Sequence, residues 1–236
     1  MLKKTFNFPD GEMLLIDKPL GWTSFDVVNS IRSTIKRTFD IKKIKVGHAG
    51  TLDPLATGLL IICTGKFTKQ IESFQGLDKS YTGSMFVGAT TPSYDKETEV
   101  ESTFDISQIS KNQLLEAAIQ FLGEIEQTPP VFSAVKVEGK RAFEYARKKN
   151  EVKLKSRKIT IRKFELLSFD LPEIDFVVEC SKGTYIRSLV NDFGKALNNG
   201  AYMSSLRRTS IGSYLVSDAM SVQEVKDSIM SQGEIR

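Results

Sequence analysis

One stretch limits what this chain can fold into. Residues 47–60 read GHAGTLDPLATGLL, a polar segment punctuated by Gly47, Gly50 and Gly58. Before it, Ile44 and Val46 alternate with lysines; after it, residues 59–63 run apolar without a break. That pattern predicts a loop held between two strands. Inside the loop Asp53 precedes Pro54. Proline disfavours the helical region for the residue before it, so Asp53 is expected in an extended or turn conformation. Glycine allows positive φ or close approach of backbone to a ligand. A carboxylate pinned in this way, with buried flanks, is a candidate nucleophile or general base. The plainer alternative is an ordinary turn, where aspartate is common because its side chain bonds nearby backbone. The same stretch holds His48, the sole histidine.

The chain's 236 residues, two-fifths of them hydrophobic, suffice for a sizeable core in one large or two small domains. No window of eighteen apolar residues appears, so no transmembrane helix is expected. The segment MLKKTFNFPDGEM lacks the apolar centre of a signal peptide, which points to a cytoplasmic protein. Cys63 and Cys180 lie far apart and neither belongs to a CxxC pair, so both read as reduced core residues. One histidine and two scattered cysteines make no zinc ligand set, and no metal is expected. Charge is unevenly spread. Residues 136–158 carry ten basic and three acidic side chains, a local +7 in a chain of net +4. Such concentration is the footprint of a polyanion partner. Phe143 and Tyr145 are interleaved with those charges. A solvated helix and strand face is the competing explanation.

The order of elements sets the fold class. Residues 13–17 predict a strand. Thr23 and Asp26 have capping-box spacing. Phe25, Val28, Ile31 and Ile35 recur at three- and four-residue steps, predicting an amphipathic helix to Arg37. A short helix is expected over 67–74, a strand over 79–87 and a polar loop over 90–101. Ser110 and Gln113 mark another cap, with Leu114, Leu115, Ala118 and Leu122 inward. After Pro129 and Pro130 come a strand over 131–137, a turn at Gly139 and a basic helix over 141–150. Strands near 159–164 and 174–180 precede a helix over 184–197. A strand over 201–209 and a helix over 222–230 follow. Strands and helices do not alternate in a steady βαβ rhythm. The expected class is therefore α+β, with a mixed, largely antiparallel sheet flanked by helices.

The motif G-H-x-G-x-L-D-P-x-A-x-G-x-L resembles the catalytic motif of the tRNA pseudouridine synthase B family. LLIDKP (14–19), KSYTG (79–83), CSKGTYIRSL (180–189) and SLRRTSIG (205–212) are similar to further family motifs and occur in the family's order. The resemblance runs from about residue 11 to about residue 213. It implies the pseudouridine synthase fold as a single domain over 1–236, with a basic RNA-clamping insertion at 131–158. The implied reaction isomerises uridine 55 in the T-loop of tRNA. The N1–C1′ bond breaks, the uracil turns, and the base rejoins through C5; nothing is oxidised or reduced, so no cofactor is required. Asp53 is implied to carry the chemistry, either by attacking C1′ or by removing a proton from C2′. Arg187 matches the arginine that keeps this carboxylate ionised and oriented. Because the target lies inside a folded loop, it must be extruded first. Tyr81 matches the tyrosine that stacks on the base, Tyr185 and Leu206 match residues lining the base pocket, and His48 matches the histidine of base extrusion. Lys18 fits a supporting or phosphate-contacting position. Lys136, Lys140, Arg141, Arg147 and Lys148 fit backbone contacts to the T-arm. The implied partner is tRNA, with no obligate protein partner, no membrane and a monomeric state. Many family members add a C-terminal RNA-binding domain of the PUA type, which is expected to be absent here.

Other readings fall short. Ser133 to Lys136 matches S-x-x-K and residues 182–184 loosely resemble K-T-G, but glycine and threonine are inverted and no S-D-N element exists. Gly65-Lys66 lacks P-loop spacing, and Phe67 stands where Ser or Thr is required. The surviving rival is a tRNA-binding folding factor without catalysis. Such a protein has no need of Asp53.

Overall fold

The computed structural model describes residues 6–137, 139–146, 148 and 152–233. The chain divides into two compact units, Met1–Ser80 with Arg207–Arg236, and Tyr81–Leu206. In chain order the first unit supplies β1 (Met13–Lys18), α1 (Ser24–Thr38), β2 (Val46–Ala49), β3 (Ala56–Thr64) and α2 (Ile71–Gly76). β4 (Lys79–Val87) leads into the second unit, which holds β5 (Ala89–Thr90), β6 (Ser102–Thr103), α3 (Lys111–Ile119) and β7 (Gly123–Gln127). β8 (Lys136–Val137), β9 (Lys140–Arg141), α4 (Ala142–Ala146), β10 (Arg157–Leu166), β11 (Glu173–Cys180) and α5 (Ile186–Ala196) follow. β12 (Ala201–Ile211) leads back into the first unit, with β13 (Tyr214–Leu215), β14 (Met220–Ser221) and α6 (Val222–Gly233).

In the first unit β3 pairs antiparallel with β1, from Met13↔Cys63 to Lys18↔Gly58, and with β2, from Val46↔Thr64 to Ala49↔Ile61. β1 also runs parallel to β14 through Ile16↔Met220 and Asp17↔Ser221. β3 is covered on both faces. Leu60 and Ile62 pack in a cluster with Val28 and Ile31 of α1 and Val225 of α6, whereas Leu59, Ile61 and Cys63 pack with Phe74 and Ile211. Burial on both faces is why residues 59–63 read as an unbroken apolar run.

α1 begins as its sequence predicts. The Asp26 amide donates to Thr23 Oγ1 at 3.0 Å and the Thr23 amide donates to Asp26 Oδ2 at 2.9 Å. Its buried stripe differs from the predicted one. Val27, Val28, Ile31 and Ile35 are inside, but Phe25 is 61% exposed. Ser24, Val27 and Val28 at the start of α1 are buried, so Phe25, directly after Ser24, points around the helix away from that stripe.

In the second unit β10 pairs antiparallel with β11 and with β7. Phe164 of β10 meets Phe176 of β11 and Phe193 of α5 edge-on, with ring centroids 6.0 and 5.7 Å apart. The Ser110–Gln113 capping box opens α3, where Leu114, Ala117 and Ala118 are buried. Leu115 and Leu122, expected inward, are exposed. Leu115 follows Leu114 directly and so points away from it around the helix.

The mixed, largely antiparallel α+β class agrees with the sequence reading; two local readings are corrected. β7 was not foreseen, because its Gly-Glu-Ile-Glu-Gln sequence carries charge on its exposed residues, as solvent-facing strands do. The strand expected over 131–137 contracts to Lys136–Val137. Prolines at 129 and 130 offer no N–H for a ladder, so pairing ends at Gln127. The basic helix expected over 141–150 is described only as Ala142–Ala146; residues 147 and 149–151 lie outside the described ones. Among the described residues no helix is long and apolar enough to cross a membrane.

Candidate active site

Asp53 lies half-buried on the loop between β2 and β3. Four neighbours fix its main chain. Gly50 and Gly58 adopt φ of 90° and 101°, values that L side chains avoid. Leu52 is buried and exchanges hydrogen bonds with Ser24: its amide donates to Ser24 Oγ at 2.8 Å and the hydroxyl donates to its carbonyl at 3.1 Å. The carbonyl of Pro54 accepts from the Gly21 amide at 2.8 Å and from Lys18 Nζ at 3.5 Å. Arg208 holds both shoulders of the loop, donating from Nη2 to the Gly50 carbonyl at 3.0 Å and from Nε to that of Leu59 at 2.8 Å.

The electrostatics follow from burial. Lys18 is wholly buried at the end of β1, where its ammonium also donates to the carbonyls of Trp22 at 2.6 Å and Pro19 at 3.0 Å. Burial pushes its pKa down to about 8; the Asp53 carboxylate opposes that shift and the Arg208 guanidinium adds to it. His48, on β2, is held below the ordinary imidazole value by burial and then by Arg208. At neutral pH it is therefore an uncharged ring. Cys63 is raised to about 11 by burial and is no nucleophile.

The second unit carries the remaining candidates. Tyr81, at the start of its share of β4, and Leu206, on β12, are each buried. Tyr185 precedes α5 and is gripped by Gln127. Its amide donates to Gln127 Oε1 at 2.8 Å, and Gln127 Nε2 donates to its carbonyl at 3.0 Å. The Arg157 guanidinium lies 4.8 Å from the Tyr185 ring centroid. Arg187 is buried, which removes the alternative of a surface cation. Its Nη1 stands 3.5 Å from Asp95 Oδ2 and donates to the Ser93 carbonyl at 3.1 Å, while Nη2 donates to the Phe132 carbonyl at 2.8 Å.

Lys136 and Arg141 pair across the short β8–β9 hairpin, with Val137 opposite Lys140. Lys136, Lys140, Arg141 and Lys148 are exposed; Arg147 lies outside the described residues.

The structure thus gathers Asp53, His48 and Lys18 in one unit, and Tyr81, Tyr185, Arg187, Leu206 and the hairpin in the other. Sequence reasoning missed Ser24, Gln127, Asp95 and Arg208. The last had a usable signal. Arg208 stands two residues after Leu206 in a strand, so it shares the face of a residue already singled out.

Comparison with solved structures defines the class. An H/ACA ribonucleoprotein bound to a substrate RNA containing 2′-deoxyuridine aligns with a TM-score of 0.66 at 25% identity, over 93% of this chain and 53% of that one. A Cbf5–Nop10–Gar1 complex aligns with a TM-score of 0.67 at 26% identity, over 96% of this chain and 60% of that one. This chain therefore spans about half to three-fifths of those larger chains, and its α+β architecture is the pseudouridine synthase fold. At the sequence level the match is broader. The tRNA pseudouridine synthase B of Flavobacterium johnsoniae is 54% identical over 221 residues, covering 93% of this chain and 96% of that protein. The protein of the same name from Phocaeicola vulgatus is 55% identical over 217 residues, 92% of each. Residues 36–186 match the N-terminal domain of the TruB family pseudouridylate synthases, and residues 187–235 match the C-terminal domain of tRNA pseudouridylate synthase B. The chain belongs to the TruB family of pseudouridylate synthases.

Proposed function

We propose that this protein isomerises a uridine of tRNA to pseudouridine, and that its target is uridine 55 of the T-loop. The observation that carries this reading is the bracing of the Asp53 loop. A half-exposed carboxylate sits on main chain fixed by Ser24, Lys18, Gly21 and Arg208. Rigid placement of a reacting group is what lowers a barrier; a binding-only protein gains nothing from it.

Asp53 acts on the ribose, by adding to C1′ or by taking the C2′ proton. Either route breaks N1–C1′, frees the uracil to turn, and ends with C5 bonded to C1′. The proton leaving C5 passes to solvent and N1 regains one, so the electrons balance without a redox partner. His48, as an uncharged ring, is suited to occupy the stack left by an extruded base rather than to pair with phosphate. Tyr81 and Tyr185 offer aromatic faces, and Leu206 an apolar wall, for the base. Arg187 and Lys18 act as positioning cations. Lys136, Lys140, Arg141 and Lys148 contact phosphates of the T-arm, and Arg147 is assigned to the same set.

The test is tritium release from tRNA transcript labelled at uridine C5. Wild-type protein releases tritium to water, and Asp53→Asn does not, while its affinity for the transcript changes little. Wild-type binding without release would establish the folding-factor reading instead. A primary isotope effect with 2′-deuterated uridine assigns the C2′ route, and its absence assigns covalent attack at C1′.

A further inference from the structure

Beside the Asp53 loop the surface is unexpectedly apolar. Leu20 is 64% exposed, Trp22 37%, Phe25 61% and Leu55 37%. These residues are gathered by hydrogen bonds already described. The Gly21 amide bonds Pro54, so residues 20–22 lie against residues 54–55. Lys18 joins the carbonyls of Trp22 and Pro54 through one ammonium. Ser24 joins the start of α1, and with it Phe25, to Leu52. Trp22, Phe25 and two leucines therefore lie on the segments bonded beside the candidate catalytic Asp53. Their backbone is fixed, and Phe25 sits outside the core that its helical spacing assigns to it. A rigid, exposed apolar rim is costly in water and marks a contact surface.

We infer that Leu20, Trp22, Phe25 and Leu55 form a stacking platform for unpaired nucleobases that flank the uridine presented to Asp53. The inference rests on the tRNA reading and extends it to the neighbours of the target. Extruding one base removes a stacking partner from those on either side. A fixed apolar surface at the edge of the site covers the exposed base faces and replaces that stacking. Every base has a π-face, so such a platform selects a splayed loop rather than a particular sequence. A protein partner would also fit apolar side chains. The base is favoured because the rim is continuous with the Asp53 loop and shares its braces.

Trp22 is the only tryptophan of the chain, so its emission reports on this rim alone. A T-arm hairpin RNA titrated into the full-length protein is expected to quench Trp22 fluorescence. An abasic nucleotide at one of the positions beside the target uridine should restore emission. Trp22→Ala and Phe25→Ala should each raise Kd for the hairpin about tenfold, since base–aromatic stacking is worth ~1–3 kcal/mol. Trp22→Phe should recover most of the affinity. Ile119→Ala, which removes an equally exposed residue elsewhere (64% exposed), should leave Kd within twofold. The inference is overturned if hairpin binding leaves emission and the alanine Kd values unchanged while wild type still forms pseudouridine. It is overturned equally if both variants abolish a concentration-dependent dimer without weakening RNA binding, which would make the rim a self-association face. A wild-type protein that forms no pseudouridine overturns the underlying tRNA reading instead.

Discussion

Arg208 donates to the carbonyl of Gly50 at 3.0 Å across 158 residues of sequence, and the same guanidinium reaches Leu59 at 2.8 Å. It is 1% exposed, and its Nη2 and Nε are committed to those two carbonyls. A lysine keeps the charge but cannot offer two donors in a planar fork. Arg208→Lys should therefore cut kcat for pseudouridine formation at least tenfold while moving KM little, because loss of rigid placement acts on the reacting geometry. Arg208→Met should in addition unfold earlier, by several degrees in a melting experiment, since the stranded, buried Leu59 carbonyl costs about 1–3 kcal/mol. Equal activity in all three proteins would show that the loop holds its shape alone.

Lys18 gives the site a pH signature. Its folded pKa, lowered to about 8, lies below the value of an unfolded lysine near 10.5. Between those values the unfolded chain binds more protons than the folded one, so unfolding free energy from this group rises with pH. Below pH 8 the penalty for burying the charge is present in full. Wild type should gain stability relative to Lys18→Met as pH rises from 8 to 10. Pseudouridine formation should fall over the same window, because the ammonium that holds Pro54 is lost. A 13Cε chemical-shift titration of Lys18 that places its midpoint near 10.5 would refute both expectations.

Gln127 offers a third point of attack. Its buried amide satisfies both the N–H and the carbonyl of Tyr185. Gln127→Leu keeps approximate size and removes both bonds. Stability should fall by about 2–4 kcal/mol, from two unpaired backbone groups. KM for tRNA should rise, with Gln127→Glu recovering part of the loss through the retained acceptor. Unchanged KM in both variants would leave Tyr185 placed by other means.

The hairpin formed by β8 and β9 should govern salt dependence. Each phosphate contact steepens the log–log fall of affinity with salt by ~0.7–0.9. Replacing Lys136 and Lys140 by glutamine should flatten that slope by about 1.4–1.8. An unaltered slope would move the phosphate contacts off this hairpin.

How much of this was legible beforehand depends on whether the cause was local. The Thr23–Asp26 and Ser110–Gln113 capping boxes were readable, since each bond spans three residues. The Asp53 loop was readable because glycine, proline and flanking apolar residues mark it, whereas the role assigned to Asp53 came from the family resemblance. Phe25 was misread because its three-residue step to Val28 fits a helical stripe, whereas the buried stripe runs through Ser24, Val27, Ile31 and Thr34 and leaves Phe25 on its outer flank. β7 was missed because a charged strand has no hydrophobic alternation to betray it. Arg208 escaped because its partners, Gly50 and Leu59, lie about 150 residues away. Its alternation with Leu206 signals which face of the strand it shares, but no short-range pattern names those partners.

That separation has a consequence for how the enzyme is made. A ribosome delivers the Asp53 loop long before it delivers β12, and β14, which completes the pairing of β1, later still. Until then Gly50 and Leu59 have no guanidinium to meet. In a nascent chain the Asp53 loop thus lacks this brace, and contacts of such long range form late in folding. The brace on the Asp53 loop is therefore completed only once β12 has been made.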